Sequence, residues 1–206
     1  MSVLAGFVSV YLCMAASSSL GAAPARMASL QVPGYALPQP LALQPFGLID
    51  QHGREFTLED LRNRWTLLFF GYTHCPDVCP TTLAQLRSVT KQLSKHPDAV
   101  IPAVVFVSID PQRDSTQQLK QYSTQYGTDF TGVGGEPGAL DSFARQFRAK
   151  YARAGGTSTS YFIDHTSSVA LIDPNAQLRV LFSVPLRPDA VAIEIQRLTK
   201  SARTGR

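Results

Sequence analysis

Cys75 and Cys79 stand four residues apart in His74-Cys75-Pro76-Asp77-Val78-Cys79-Pro80. Two thiols at this spacing can close a structural disulfide, exchange disulfides with another protein, or grip a soft metal ion as thiolates. Their surroundings favour the thiolate. Trp65-Thr66-Leu67-Leu68-Phe69-Phe70 is a continuous apolar run of strand length, and Leu83, Leu86, Val89 and Leu93 keep helical spacing after the pair. Pro80 suits the first turn of that helix, which therefore begins at about Cys79–Pro80 and leaves Cys75 in the preceding loop. A helix N-terminus carries partial positive charge and free N–H donors, both of which stabilise thiolate over thiol. If residues 75–79 approximate one turn, the two Cα atoms lie about 5–6 Å apart, within reach of a disulfide or of one shared metal ion. As a structural staple the pair is poor, because closing so short a loop gains only about 1–2 kcal/mol.

Four histidines are available as further ligands. His52 lies in a Gly-containing turn and His96 in Lys95-His96-Pro97, and both read as solvated. His74 adjoins Cys75, where it could tune the thiol, accompany metal entry or bind directly. His165 reads as part of a loop between two short strands, with Asp164 beside it to accept a ring N–H or cap the turn. A loop histidine taken alone faces water, so its role depends on a fold that brings it opposite the cysteines. Two sulfurs and one imidazole make a trigonal donor set. Thiolates select Cu(I), imidazole also accommodates Cu(II), and zinc would want a fourth ligand that the sequence does not plainly supply.

These residues need elements to hold them. Phe46 to Phe56 reads as a β-hairpin around Asp50-Gln51-His52-Gly53, and Thr57 with Asp60 as a capping box that opens a short helix through Leu61. Val100 to Ile109 is a second buried strand. Ser115 caps a helix bearing Leu119, Tyr122 and Tyr126, and Pro137 opens another with Leu140, Phe143, Ala144, Phe147 and Tyr151 as its inner stripe. Tyr161–Ile163, Val169–Ile172 and Leu178–Val184 are short strands, the last two joined by a turn at Asp173-Pro174-Asn175, and Pro188 opens a final helix. The sum is an α/β domain on a central mixed sheet flanked by helices, with an N-terminal β-hairpin and a right-handed parallel crossover between its two buried strands.

The 206 residues, 44% hydrophobic and 17% charged, suit one domain of about 150–170 residues with an appendage. They exclude a large multidomain enzyme and a disordered chain. The net charge of +4 is scattered. Arg197, Lys200, Arg203 and Arg206 read as a helix end running into a basic tail over 201–206, not as a nucleic-acid-binding stripe. Residues 1–25 carry no charge; their apolar run followed by small residues up to Ala23-Pro24-Ala25 reads as a signal peptide, with an uncleaved membrane anchor as the alternative. Either places the domain outside the cytoplasm, where thiols oxidise unless kept reduced. Residues 26–45, with Pro33, Pro38, Pro40 and Pro45, read as an extended tether to a domain over 46–200.

Phe69-Phe70-Gly71-Tyr72-Thr73-His74-Cys75-Pro76-Asp77-Val78-Cys79-Pro80-Thr81-Thr82-Leu83 resembles the signature of the SCO/SenC family, copper-handling assembly factors of cytochrome c oxidase. Val107-Ser108-Ile109-Asp110-Pro111-Gln112-Arg113-Asp114 resembles the family's second block, and Asp164-His165-Thr166 with Val169 to Pro174 the block carrying its metal-binding histidine. Order and spacing fit over residues 46–185. The resemblance implies a thioredoxin-like fold, a bacterial periplasmic or inner-membrane-anchored location, and copper, as Cu(I) and also Cu(II), held by Cys75, Cys79 and His165. It implies maturation of the dinuclear CuA centre in oxidase subunit II, by delivering copper, by reducing that subunit's cysteine pair, or both. The implied partners are subunit II, an upstream copper donor and a thiol reductant. Asp77 would shape the loop or its charge. Asp110, Arg113 and Asp114 match the second block, although a loop ion pair and a helix cap explain them equally well. A copper metallochaperone is the favoured class, since a pure dithiol reductant has no need of His165. A thiol–disulfide oxidoreductase using Cys75 and Cys79 as its redox pair is the alternative. A peroxidase or redox sensor would need an Arg beside its cysteine, and none lies near Cys75 in sequence.

Overall fold

The computed structural model describes residues 32–204. The expected leader over 1–25 lies outside them, as do residues 205–206 at the end of the basic tail. Among the described residues no helix is long and apolar enough to cross a membrane.

Among the described residues, ten strands and four α-helices follow one another. They are β1 (Gly34–Ala42), β2 (Gly47–Asp50), β3 (Glu55–Thr57), β4 (Thr66–Gly71), α1 (Val78–Leu93), β5 (Ala103–Ser108), α2 (Thr116–Thr124), β6 (Phe130–Gly134), α3 (Pro137–Gln146), β7 (Tyr151–Ala154), β8 (Phe162–His165), β9 (Ser168–Ile172), β10 (Gln177–Ser183) and α4 (Pro188–Thr204). Eight strands form one mixed sheet in the order β1-β10-β9-β4-β5-β6-β2-β3, and β7 and β8 pair separately. The central strand β4 is parallel to β5 and antiparallel to β9. All six of its residues are buried, as its unbroken apolar run requires.

Successive strand residues point to opposite faces, and β4 uses both. Phe70 packs on Phe143 and Phe147 from the α3 side (centroids 5.9 and 5.4 Å). Phe69 faces the other way, towards Phe106 and His165 (6.4 and 6.1 Å). The last residue of the strand, Gly71, is therefore delivered to the same face as His165.

The expected hairpin, its capping box at Thr57 and Asp60, the Ser115 cap of α2 and the antiparallel β9–β10 pair are all present. Three readings need correction. The Pro-rich segment is extended, but residues 34–42 are an edge strand of the sheet, so the folded unit begins upstream of residue 46. Pro38 and Pro40 fall where the β1–β10 register shifts between Ala36 and Leu41, so their missing N–H groups remove no ladder bond. Helix α3 stops at Gln146 instead of carrying Tyr151, because Arg148 adopts φ 56° and turns the chain into β7. His165 ends strand β8 and does not sit in a loop.

Candidate metal centre

The site is assembled from three pieces of chain. Cys75 lies in the loop after β4, Cys79 in the first turn of α1, and His165 at the end of β8. The Cys79 backbone N–H donates to the Cys75 sulfur (3.4 Å), and the Asp77 N–H does so as well. The helix start thus aims its free donors at sulfur, as expected. Both thiols are free; Cys79 is buried and Cys75 half-buried.

The His165 Nε2 stands 3.8 Å from the Cys79 sulfur. Its Nδ1 lies 3.2 Å from the Thr166 carbonyl oxygen, and its Nε2 faces the sulfurs. The ring is held edge-on by Phe69 and Tyr72 (centroids 6.1 and 6.3 Å).

The two thiols are electrostatically unequal. A hydrogen bond from the Cys79 thiol holds Cys75 far below the ordinary thiol range, against burial and with help from His165 and the N–H groups of Asp77 and Cys79. That same bond, together with burial, pushes Cys79 up, opposed by the Tyr72 backbone N–H. The result is one half-buried thiolate backed by one buried thiol. Cys75 opens into a cleft of about 290 Å³ that Tyr72, Asp77, Val78, Phe162 and His165 help to line. On its rim Val78 and Phe162 are 40% and 59% exposed.

The second sequence block supports the loop. Asp114 is buried and accepts hydrogen bonds from the Thr73 backbone N–H (2.9 Å), the Thr73 hydroxyl (2.6 Å) and the Ser108 hydroxyl (2.5 Å). It therefore pins the Cys75 loop to the end of β5, while Ser115 caps α2. Asp110 makes the ion pair, with Arg113 Nε at 2.5 Å. His74 turns away from the sulfurs, with its Nδ1 3.1 Å from the Thr73 hydroxyl and 3.5 Å from Asp114. His74, Asp110 and Asp114 bring one ligand atom each within 4.8 Å of one another, but both carboxylates are already engaged in these bonds. Asp77 is exposed at the N-cap position of α1 without a side-chain cap bond. Asp164 is exposed and lines the cleft.

Gly71 is a site residue that the sequence reading passed over. A Cβ there would lie 2.7 Å from the Cys79 sulfur and 2.8 Å from Phe106 Cε2. The only signal was a glycine closing an otherwise bulky apolar strand.

Two thiol sulfurs and one imidazole nitrogen around one cleft are a soft, three-donor set that suits copper, above all Cu(I). A mixed sheet flanked by helices, with a cysteine pair at the strand–helix junction of its central strand, is a thioredoxin-like domain. Residues 36–200 match the SCO1/SenC family model, and the chain belongs to that family. It is 34% identical over 148 residues to the SCO2-like protein of Rickettsia felis, covering 71% of each chain. It is 32% identical over 161 residues to the mitochondrial SCO1 homolog 1 of Arabidopsis thaliana, covering 76% of this chain and 48% of that one. The crystal structure of Arabidopsis thaliana ScoI with copper bound superposes with a TM-score of 0.70 at 31% identity, over 75% of this chain and 98% of that one.

Proposed function

We propose that this protein carries copper to the CuA centre of cytochrome c oxidase subunit II, outside the cytoplasm, with Cys75, Cys79 and His165 as its ligands. The observation that carries this reading is the 3.8 Å approach of His165 Nε2 to the Cys79 sulfur, which adds a nitrogen donor that thiol exchange does not use. Copper is the cargo. Three donors leave room for an incoming thiolate of the recipient, so the ion can pass by ligand exchange without being released to water. The apolar rim at Val78 and Phe162 is the surface a recipient loop would meet.

A second reading has its own support in the inequality of the thiols. The more accessible, low-pKa Cys75 thiolate can attack a disulfide of the target and form a mixed disulfide, releasing one target thiolate. Cys79 then loses its proton, attacks the Cys75 sulfur and releases the second target thiolate. The pair ends as a disulfide and the target has gained two electrons.

An anaerobic Cu(I) titration of the reduced protein against a competing chelator separates the two. One tightly held copper per chain, lost in Cys75→Ser and weakened in His165→Ala, supports carriage. Weak binding indifferent to His165, in a protein that still exchanges disulfides, would shift the assignment to a reductase.

A further inference from the structure

His165 is carried by a ribbon that the main sheet does not hold. Strands β7 and β8 pair only with each other (Tyr151 with His165, Ala154 with Phe162), and a lone two-stranded ribbon is marginal in water. Its base is fastened by reciprocal bonds between Lys150 and Thr166: Thr166 N–H to the Lys150 carbonyl (2.8 Å) and Lys150 N–H to the Thr166 hydroxyl (3.1 Å). Its outer end is fastened at Tyr161. That ring lies between two guanidiniums, Arg113 at 3.6 Å and Arg153 at 3.7 Å from its centroid. Its hydroxyl donates to the buried Asp110 (2.7 Å), which also accepts from Arg113 Nε (2.5 Å), and Arg113 Nη1 donates to the Tyr161 carbonyl (3.1 Å). Two residues on, the Ile163 N–H donates to the Tyr72 hydroxyl (3.3 Å), and the Tyr72 ring meets His165.

We propose that Tyr161, gripped by Asp110, Arg113 and Arg153, is a positioning residue that fixes the β7–β8 ribbon and so holds His165 against Cys79. The turn from Asp110 to Asp114 is then a common anchor: Asp114 secures the cysteine loop through Thr73, and Asp110 secures the histidine ribbon through Tyr161. The inference rests on the reading of His165 as a copper donor. Its structural half, the fixing of the ribbon, can be tested without copper.

Tyr161→Phe keeps the ring and its stacking and deletes only the hydroxyl's bonds, to Asp110 and to Gln112 Oε1 (3.5 Å); Arg113→Lys removes both the fork and the stack. Amide hydrogen exchange of the reduced, metal-free protein is expected to quicken roughly tenfold in β7 and β8, with β4 and β5 unchanged, when such a bond is lost. Cu(I) affinity is expected to fall roughly three- to tenfold in Tyr161→Phe. In the His165→Ala background the same substitution is expected to change nothing further. Unaltered ribbon exchange in both Tyr161→Phe and Arg113→Lys overturns the proposal. So does an equal copper loss in the presence and absence of His165, since Tyr161 would then act by another route. Faster ribbon exchange in a protein whose His165→Ala variant binds copper as well as the parent would support the clamp while removing His165 from the ligand set.

Discussion

A Cβ placed on Gly71 would stand 2.7 Å from the Cys79 sulfur. The last residue of the central strand and the buried cysteine of the helix are therefore in contact through a space that admits no side chain. On the same side Phe106 Cε2 lies 2.8 Å from that Cβ position, and Phe106 is itself fully buried. Neither neighbour can withdraw freely. Gly71→Ala should cost about 1–3 kcal/mol of stability in urea unfolding, the usual range for overpacking a filled core. It should also weaken Cu(I) binding by moving a sulfur of the proposed copper site. Reduced stability with parental copper affinity would show that the sulfur has slack.

The unequal thiols predict an unequal response to pH. An ordinary cysteine, with a pKa near 8.5, loses about tenfold in alkylation rate for each pH unit below that value. Cys75 is held far lower by the Cys79 thiol, His165 and two backbone N–H groups, so it remains thiolate as the pH falls. Iodoacetamide labelling of the reduced, metal-free protein at Cys75 should stay nearly flat from about pH 9 to pH 6. Cys79, buried and shifted upward, should label only after unfolding. His165→Ala removes one donor to Cys75, so its labelling should begin to fall at a higher pH than in the parent. A Cys75 profile that follows an ordinary thiol would contradict this electrostatic picture.

Elements defined by local signals were legible in the sequence. The unbroken apolar runs of β4 and β5 and the Ser115 and Pro137 helix starts needed no distant information. β6 was not legible, because Phe130-Thr131-Gly132-Val133-Gly134 has two glycines that dilute its strand character. The structure supplies the reason for Gly132: a Cβ there would lie 2.9 Å from the Leu119 carbonyl oxygen, so α2 can press on the strand only at a glycine. The stripe through Phe147 and Tyr151 imitated a longer helix because both side chains do face the core, one from the end of α3 and one from β7.

The edge strand gives a further prediction. Residues 34–42 pair with β10, and the adjoining Leu43 is buried. A chain that begins at Phe46, the boundary suggested by composition, would strip the partner from β10 and expose a long sheet edge. It should unfold at lower urea than a chain beginning at Val32 and associate at concentrations where the longer chain stays monomeric by light scattering. Equal stability and solubility would mean that β1 lies on the sheet without supporting it.

The site was legible to different depths. The cysteine pair was visible because its meaning is local: a strand, a loop and a helix start within fifteen residues of sequence. His165 depended on the order of three distant blocks. Gly71, Asp114 and Tyr161 act through contacts with residues elsewhere in the chain, as in the Thr73–Asp114 bond across 41 positions. No spacing rule in one sequence encodes such contacts. For Asp110 and Arg113 the loop ion pair expected from sequence is correct, but it is only one side of the grip on Tyr161.

Phe162 is the residue on which carriage can be separated from binding. It is 59% exposed on the rim of the ligand cleft, so Phe162→Ser removes little buried area and should change stability by no more than about 0.5 kcal/mol. Its side chain offers no metal ligand, and its strand neighbours keep their backbone pairing, so Cu(I) affinity should match the parent. What it offers is an aromatic surface within reach of whatever docks over Cys75, and interfaces concentrate their energy in such residues. On the proposed carriage, copper transfer to the metal-free CuA domain of oxidase subunit II, followed by stopped-flow absorbance, should therefore slow by roughly tenfold in Phe162→Ser. Ile193 is a suitable control, equally apolar in character and 64% exposed on α4, and Ile193→Ser should transfer copper at the parental rate. Equal slowing by both substitutions would mean that general surface hydrophobicity, and not this rim, governs the encounter. An unchanged rate in Phe162→Ser would place the docking surface elsewhere on the cleft.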